Sequence, residues 1–139
     1  MGRKKVFTDD QKIKFVENVS AMLELQMMPA TSKSIIDDYG NIKAKALGYA
    51  YGWTDAALRS VGQDMSDMSI SIPILFNILY RLFPNKAELC MQHLIDNIET
   101  DQTVLLGTVA GGTQFNEMRN GKRRTPMGFG MLLSGMDPK

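Results

Sequence analysis

The sequence predicts an all-α fold: a compact bundle of five or six helices around a central buried helix over about 70–83, with N- and C-terminal extensions. Three observations lead there. Apolar residues recur at three-four spacing through Ile13, Phe15, Val16, Val19, Met22, Leu23 and Met27, and again through Ala87, Cys90, Met91, Leu94, Ile95 and Ile98. The run Ser69–Phe83 is the most apolar in the chain and points its side chains in nearly every direction, as a helix buried on most sides does. No pair of segments makes a convincing set of strands.

In chain order, residues 1–7 form a basic arm carrying Arg3, Lys4 and Lys5. Thr8-Asp9-Asp10-Gln11 has the form of a capping box, with two aspartates at the positive end of the helix dipole. The helix it opens stops before Pro29. Thr8, Gln11 and Phe15-Val16-Glu17 resemble the opening of phage small terminase subunits, which bind DNA. The alanine-rich continuation of that family is missing, and the chain is not assigned to it.

Ser34-Ile35-Ile36-Asp37 is expected to open a further helical segment, interrupted at Gly40-Asn41. Small residues then recur every fourth position at Ala44, Gly48, Gly52, Ala56 and Ser60. On one helix they form a smooth strip for a second backbone, which has to offset about 1 kcal/mol for each glycine relative to alanine. The alternative is a break near Gly52-Trp53, with Thr54 capping a new short helix. Gly62–Met68 reads as a turn.

In the central helix, Ser71 is expected as the cap, Pro73 falls in the first turn where its missing N–H costs nothing, and Pro84 closes the end. Asn85-Lys86-Ala87-Glu88 opens the next helix in the manner of a capping box. Beyond Asp101, Thr103–Val109 suits a strand by propensity, but helix is the preferred reading, with Gly107 and Gly111 as a second small-residue contact and Asn120-Gly121 as the stop. The domain is thus expected over 8–120, with 121–139 as a basic and apolar tail whose Phe129, Met131, Leu132 and Leu133 have to dock on something.

Composition bounds the function. The length is that of one domain, able to bury roughly two-thirds of its unfolded surface. One cysteine, Cys90, excludes an intrachain disulfide framework, and no apolar stretch follows Met1-Gly2-Arg3-Lys4-Lys5, so a reducing, cytoplasmic setting is expected. Met68–Tyr80 is charge-free but shorter than the about 20 residues a spanning helix needs, and Arg81 follows it. No membrane insertion is expected. A net charge of +1 favours neither nucleic acid nor acidic lipid, although basic residues gather at Arg3, Lys4 and Lys5 and at Arg119, Lys122, Arg123 and Arg124, while Lys86–Asp101 leans acidic. Eleven methionines read as gap-filling in a helical core or as an adaptable contact surface.

Motifs of known chemistry fail one by one. Cys90 and His93 neighbour each other on a helix, but no second His or Cys completes a zinc site and no glycine-rich turn offers an oxyanion hole. Gly121-Lys122 lacks a P-loop's first glycine, Asn116 standing there, and Arg123 replaces its Ser or Thr. Asp9-Asp10 and Asp37-Asp38 are explained as helix-start residues. Lys43, Lys45, Tyr49, Tyr51 and Trp53 could form a stacking and phosphate-contact surface. No catalytic, cofactor or metal residue and no small-molecule substrate is inferred. The expected function is non-enzymatic protein binding, as a small adaptor, assembly or inhibitor protein. It would associate with copies of itself or with a larger complex through Ala44, Gly48, Gly52, Ala56 and the Phe129–Leu133 region. The alternative is nucleic-acid binding through the two basic runs.

Overall fold

The computed structural model describes residues 6–123 and 125–137. Among them the chain forms six helices: α1 (Asp9–Met27), α2 (Ala44–Ser60), α3 (Met68–Leu82), α4 (Ala87–Asn97), α5 (Gln102–Arg119) and α6 (Gly128–Leu133). The all-α bundle expected from periodicity is therefore what forms. The α1 capping box closes in both directions, Gln11 N donating to Thr8 Oγ1 at 3.2 Å and Thr8 N to Gln11 Oε1 at 2.9 Å.

Helices α2 and α5 form the tightest pair. An added Cβ on Gly48 would fall on the carbonyl oxygen of Val104, and one on Gly52 on that of Thr108. From the other side, Gly107 meets the Lys45 carbonyl and Gly111 that of Tyr49. Both series advance in the same sense, so the helices run parallel, backbone against backbone. This close approach is what carries Gly48 and Gly52 inside α2 and Gly107 and Gly111 inside α5. It also settles two open points: α2 continues through Gly52 without a break, and Gln102–Arg119 is helical, capped by Asp101 accepting from Thr103 N at 2.8 Å.

Three local expectations are corrected. Ser34–Asp37 is extended rather than helical: Ile36 and Ile42 form an isolated antiparallel bridge. Ser34 Oγ accepts from Ile36 N, and Asp37 Oδ1 accepts from Tyr39 N and Asn41 N, each within 3.0 Å. These short side chains give the backbone partners a helix would otherwise supply, and Gly40 at φ 82° completes the turn. Helix α3 starts before Ser71, with Asp67 at the cap, so Pro73 sits within the helix rather than in its first turn. Helix α4 starts after Lys86 without a side-chain cap, so Asn85 does not act as expected.

On α3 the residues Ser71, Ile74, Leu75, Ile78, Leu79 and Leu82 enter the core. Burial is one-sided, however, because Met68, Ile72 and Tyr80 remain exposed. The C-terminal segment is the largest difference from expectation. It is no extended tail: Phe129, Leu132 and Leu133 are buried in the core as part of α6. Phe129 stacks on Tyr49 at 5.9 Å between ring centroids and meets Phe83 edge-on at 6.2 Å.

Candidate protein-binding groove

The structure divides the residues singled out in the sequence into two groups and brings together a third. The small strip is consumed within the chain, Gly48 and Gly52 facing α5, so it offers no smooth face to a second copy. Phe129, Leu132 and Leu133 are inside their own domain, with Met131 half-buried beside them. Gly48, Gly52, Phe129, Leu132 and Leu133 are thus used within the chain, while Ala44, Ala56 and Met131 stay half-buried.

Several of the basic and aromatic residues are likewise committed. Tyr49 and Trp53 are core side chains, the latter edge-on to Phe115 at 5.3 Å, so they cannot stack on bases. Lys43 Nζ donates to the Leu133 carbonyl at 2.7 Å, and Lys45 pairs with Asp137 at 2.6 Å; both fasten the C-terminal segment. Arg59 and Arg119 line one polar groove at the C-terminal ends of α2 and α5, where a cation complements the carbonyl-rich helix end. Arg59 pairs with Asp55 at 3.1 Å and Arg123 turns back on Glu117 at 3.6 Å. Arg119 and Lys122 are exposed. Arg3, Lys4, Lys5 and Arg124 lie outside the described residues.

Cys90 is fully buried on the apolar face of α4, and this burial pushes its thiol up to about 11, with Lys86 opposing weakly. A thiol held protonated at neutral pH is a poor nucleophile and a poor metal ligand. The consequence is testable in stability. The folded value lies above the unconstrained value of 9.0, so the stabilising contribution is complete below that pH and is lost as pH rises toward 11. Two pKa units correspond to about 3 kcal/mol at most. Urea midpoints measured from pH 9 to 11 should fall more steeply for wild type than for Cys90→Ala, and parallel curves would contradict the burial. No group of three potential metal-ligating side chains occurs among the described residues.

The third group was not singled out in the sequence. Helices α3 and α4, with Tyr51 of α2 and Met65 of the preceding turn, enclose an open groove of about 280 Å³ lined by Met68, Ile72, Leu75, Met91, Leu94, Ile95, Ile98 and Glu99. Its α3 wall belongs to a strip spaced every four residues, Met68, Ile72, Phe76 and Tyr80, which lies along one helix face. Met68 is 63% exposed and Ile95, on the opposite wall, 57%. Phe76 and Tyr80 continue the strip as a stacked pair 6.4 Å apart. At about 280 Å³ the groove lies at the lower edge of the roughly 300–1,000 Å³ that encloses a small molecule.

Among the described residues Glu99 is the only charged one in the lining. The Tyr51 phenol is raised first by burial and then by the carboxylates of Asp55, Asp64 and Glu99, against a lowering by Arg59. The sequence signal that could have revealed the groove is the period-four row on α3, but it overlaps the core stripe and is hidden in a helix apolar all round. No family model, curated protein or solved structure matches the chain. Among the described residues no helix is long and apolar enough to cross a membrane.

Proposed function

We propose that the chain is a non-enzymatic protein-binding module, an adaptor, assembly or inhibitor protein, which holds its partner in the α3–α4 groove. The observation that carries this reading is the row of exposed apolar side chains, Met68, Ile72 and Ile95, around a groove also lined by Met65 and Met91. A contiguous apolar patch in water marks an interaction site more often than an isolated apolar residue does. Methionine side chains are flexible and polarisable, so such a surface conforms to its partner without a preformed socket. Nucleic-acid binding has less behind it, since Tyr49 and Trp53 are in the core, Tyr51 lines the apolar groove and Arg123 is paired with Glu117.

A photo-crosslinking residue placed at Ile72 or at Ile95, in the cells the sequence comes from, should give the same discrete protein adduct from both positions. A control placement at Tyr39, 90% exposed on a turn away from the groove, should not give it. Adducts that are identical from Tyr39, or absent from both groove positions, would overturn the reading.

A further inference from the structure

We infer that the outer face of α5 is a second interaction surface, separate from the α3–α4 groove, and that it pairs antiparallel with the same face of another copy of this chain. The face is defined by what α2 leaves uncovered. Gly107 and Gly111 turn toward the α2 backbone, and Val104 and Gln114 are buried on the same side. The opposite side carries Gln102, Leu105, Leu106, Val109, Thr113 and Asn116, which fall within an arc of about 100° at 3.6 residues per turn. All six are exposed, Leu105 by 46%, Leu106 by 50% and Val109 by 60%. No charged residue occurs from Gln102 to Asn116, whereas the exposed side of α1 carries Asp10, Lys14, Glu17 and Glu24. A helix face turned to water ordinarily carries such charges, so an uncharged face with an apolar centre fits contact with another uncharged surface.

The charges at the two ends of this face select the occupant. Asp101 caps the helix and Arg119 ends it, about five turns apart, so both flank the uncharged strip on the same side. Val109 and Ala110 mark the midpoint between them. With a two-fold axis there, Asp101 of each copy comes beside Arg119 of the other, and each end meets the opposite sign. A parallel pair would set like charge on like, which costs more than a neutral mismatch. Both residues can take part. Asp101 engages Oδ1 with Thr103 N, and an ionised carboxylate has further acceptor sites. Arg119 is exposed, and Asp55 and Arg59, which line the polar groove beside it, pair with each other at 3.1 Å. Three half-exposed apolar side chains per copy make a contact smaller than the standard interface, so the dimer belongs in roughly the micromolar range rather than the nanomolar one.

Sedimentation of the full chain from about 10 to 500 µM tests this, since mass action makes a weak dimer appear with concentration. Wild type should pass from monomer to dimer across that range. Val109→Glu, which sets two carboxylates together at the axis, should stay monomeric, with an unchanged melting curve because the position is exposed. Arg119→Asp should weaken the dimer by about tenfold through the two end pairs, and less so in high salt. Orientation is read by cysteine crosslinking, which does not depend on how Val109→Glu folds. Under mild oxidation Val109→Cys should form a linked dimer with itself, whereas Gln102→Cys should link to a co-expressed Asn116→Cys chain and not to itself. A chain monomeric at every concentration, or a dimer indifferent to Val109→Glu, would overturn the inference. Self-linking of Gln102→Cys would replace the antiparallel pair with a parallel one and overturn it as well. A dimer that Ile72→Gln dissociates would place self-association in the α3–α4 groove, and a monomer whose crosslinker at Val109 captures a different protein in cells would assign the α5 face to that protein. Either result would overturn the second copy on α5, and neither failure of the α5 pair touches the groove crosslinks from Ile72 and Ile95.

Discussion

Gly52→Ala should destabilise the protein by about 2–4 kcal/mol, whereas Gly112→Ala should melt no lower than wild type and up to about 1 kcal/mol more stably. Both positions lie inside helices, α2 and α5, where alanine is favoured by propensity alone. They differ in what a methyl group would meet. At Gly52 it would fall on the Thr108 carbonyl oxygen, with the Thr108 carbonyl carbon and Cα within 2.8 Å. These are backbone atoms and cannot swing aside, so the helices have to part. At Gly112 the single neighbour is the Gly52 oxygen at 3.6 Å, an ordinary contact. Overpacking costs typically 1–3 kcal/mol and more where nothing yields, a large fraction of the roughly 5–15 kcal/mol that holds a domain together. Chemical denaturation followed by circular dichroism measures both variants. Equal midpoints for Gly52→Ala and wild type would show that α2 and α5 are not in backbone contact.

That pair was legible in the sequence because its cause is local and periodic. Glycine or alanine at every fourth residue means a close approach, whatever approaches, and Gly107 and Gly111 supplied the facing surface. The α1 capping box was legible for the same reason, its partners being three residues apart. What failed depended on distant partners. Gly128–Leu133 reads as part of an extended tail that docks on something, since six residues are too few for a periodic signal and too few to form a helix unaided. Yet the glycines serve contact: a Cβ at Gly130 would strike the Gln26 carbonyl, and one at Gly128 would press on Tyr49 and Gln114. The groove failed for another reason. Apolar residues on all sides of α3 fit a fully surrounded helix, and only the positions of α4 and α2 decide which side stays open.

Ending the chain after Met127 should abolish cooperative folding rather than merely remove a docking segment. Phe129, Leu132 and Leu133 are 0%, 7% and 1% exposed, and burying three such side chains contributes about 5–9 kcal/mol, comparable to the whole stability of a domain. Polar ties are lost with them. Gln26 Oε1 accepts from Phe129 N and Gln114 Oε1 from Gly128 N, each at 3.1 Å, and both oxygens lie within 2.8 Å of the Tyr49 hydroxyl. That hydroxyl has one proton to give, so without the α6 amides the two buried oxygens compete for a single donor. Unpaired buried acceptors cost about 1–3 kcal/mol each. Lys43 would also lose the Leu133 carbonyl, and Lys45 its partner Asp137. Phe129→Ala keeps the backbone donors and empties the space over Tyr49 and against Phe83, so it should remain folded with a lower urea midpoint, a loss of about 3–5 kcal/mol. Thermal unfolding of the three chains gives the order wild type, then Phe129→Ala, then a truncated chain with no transition. A truncated protein melting cooperatively at the wild-type temperature would show that α6 is dispensable to the core, and would return Phe129 to Leu133 to the surface where a partner could reach them.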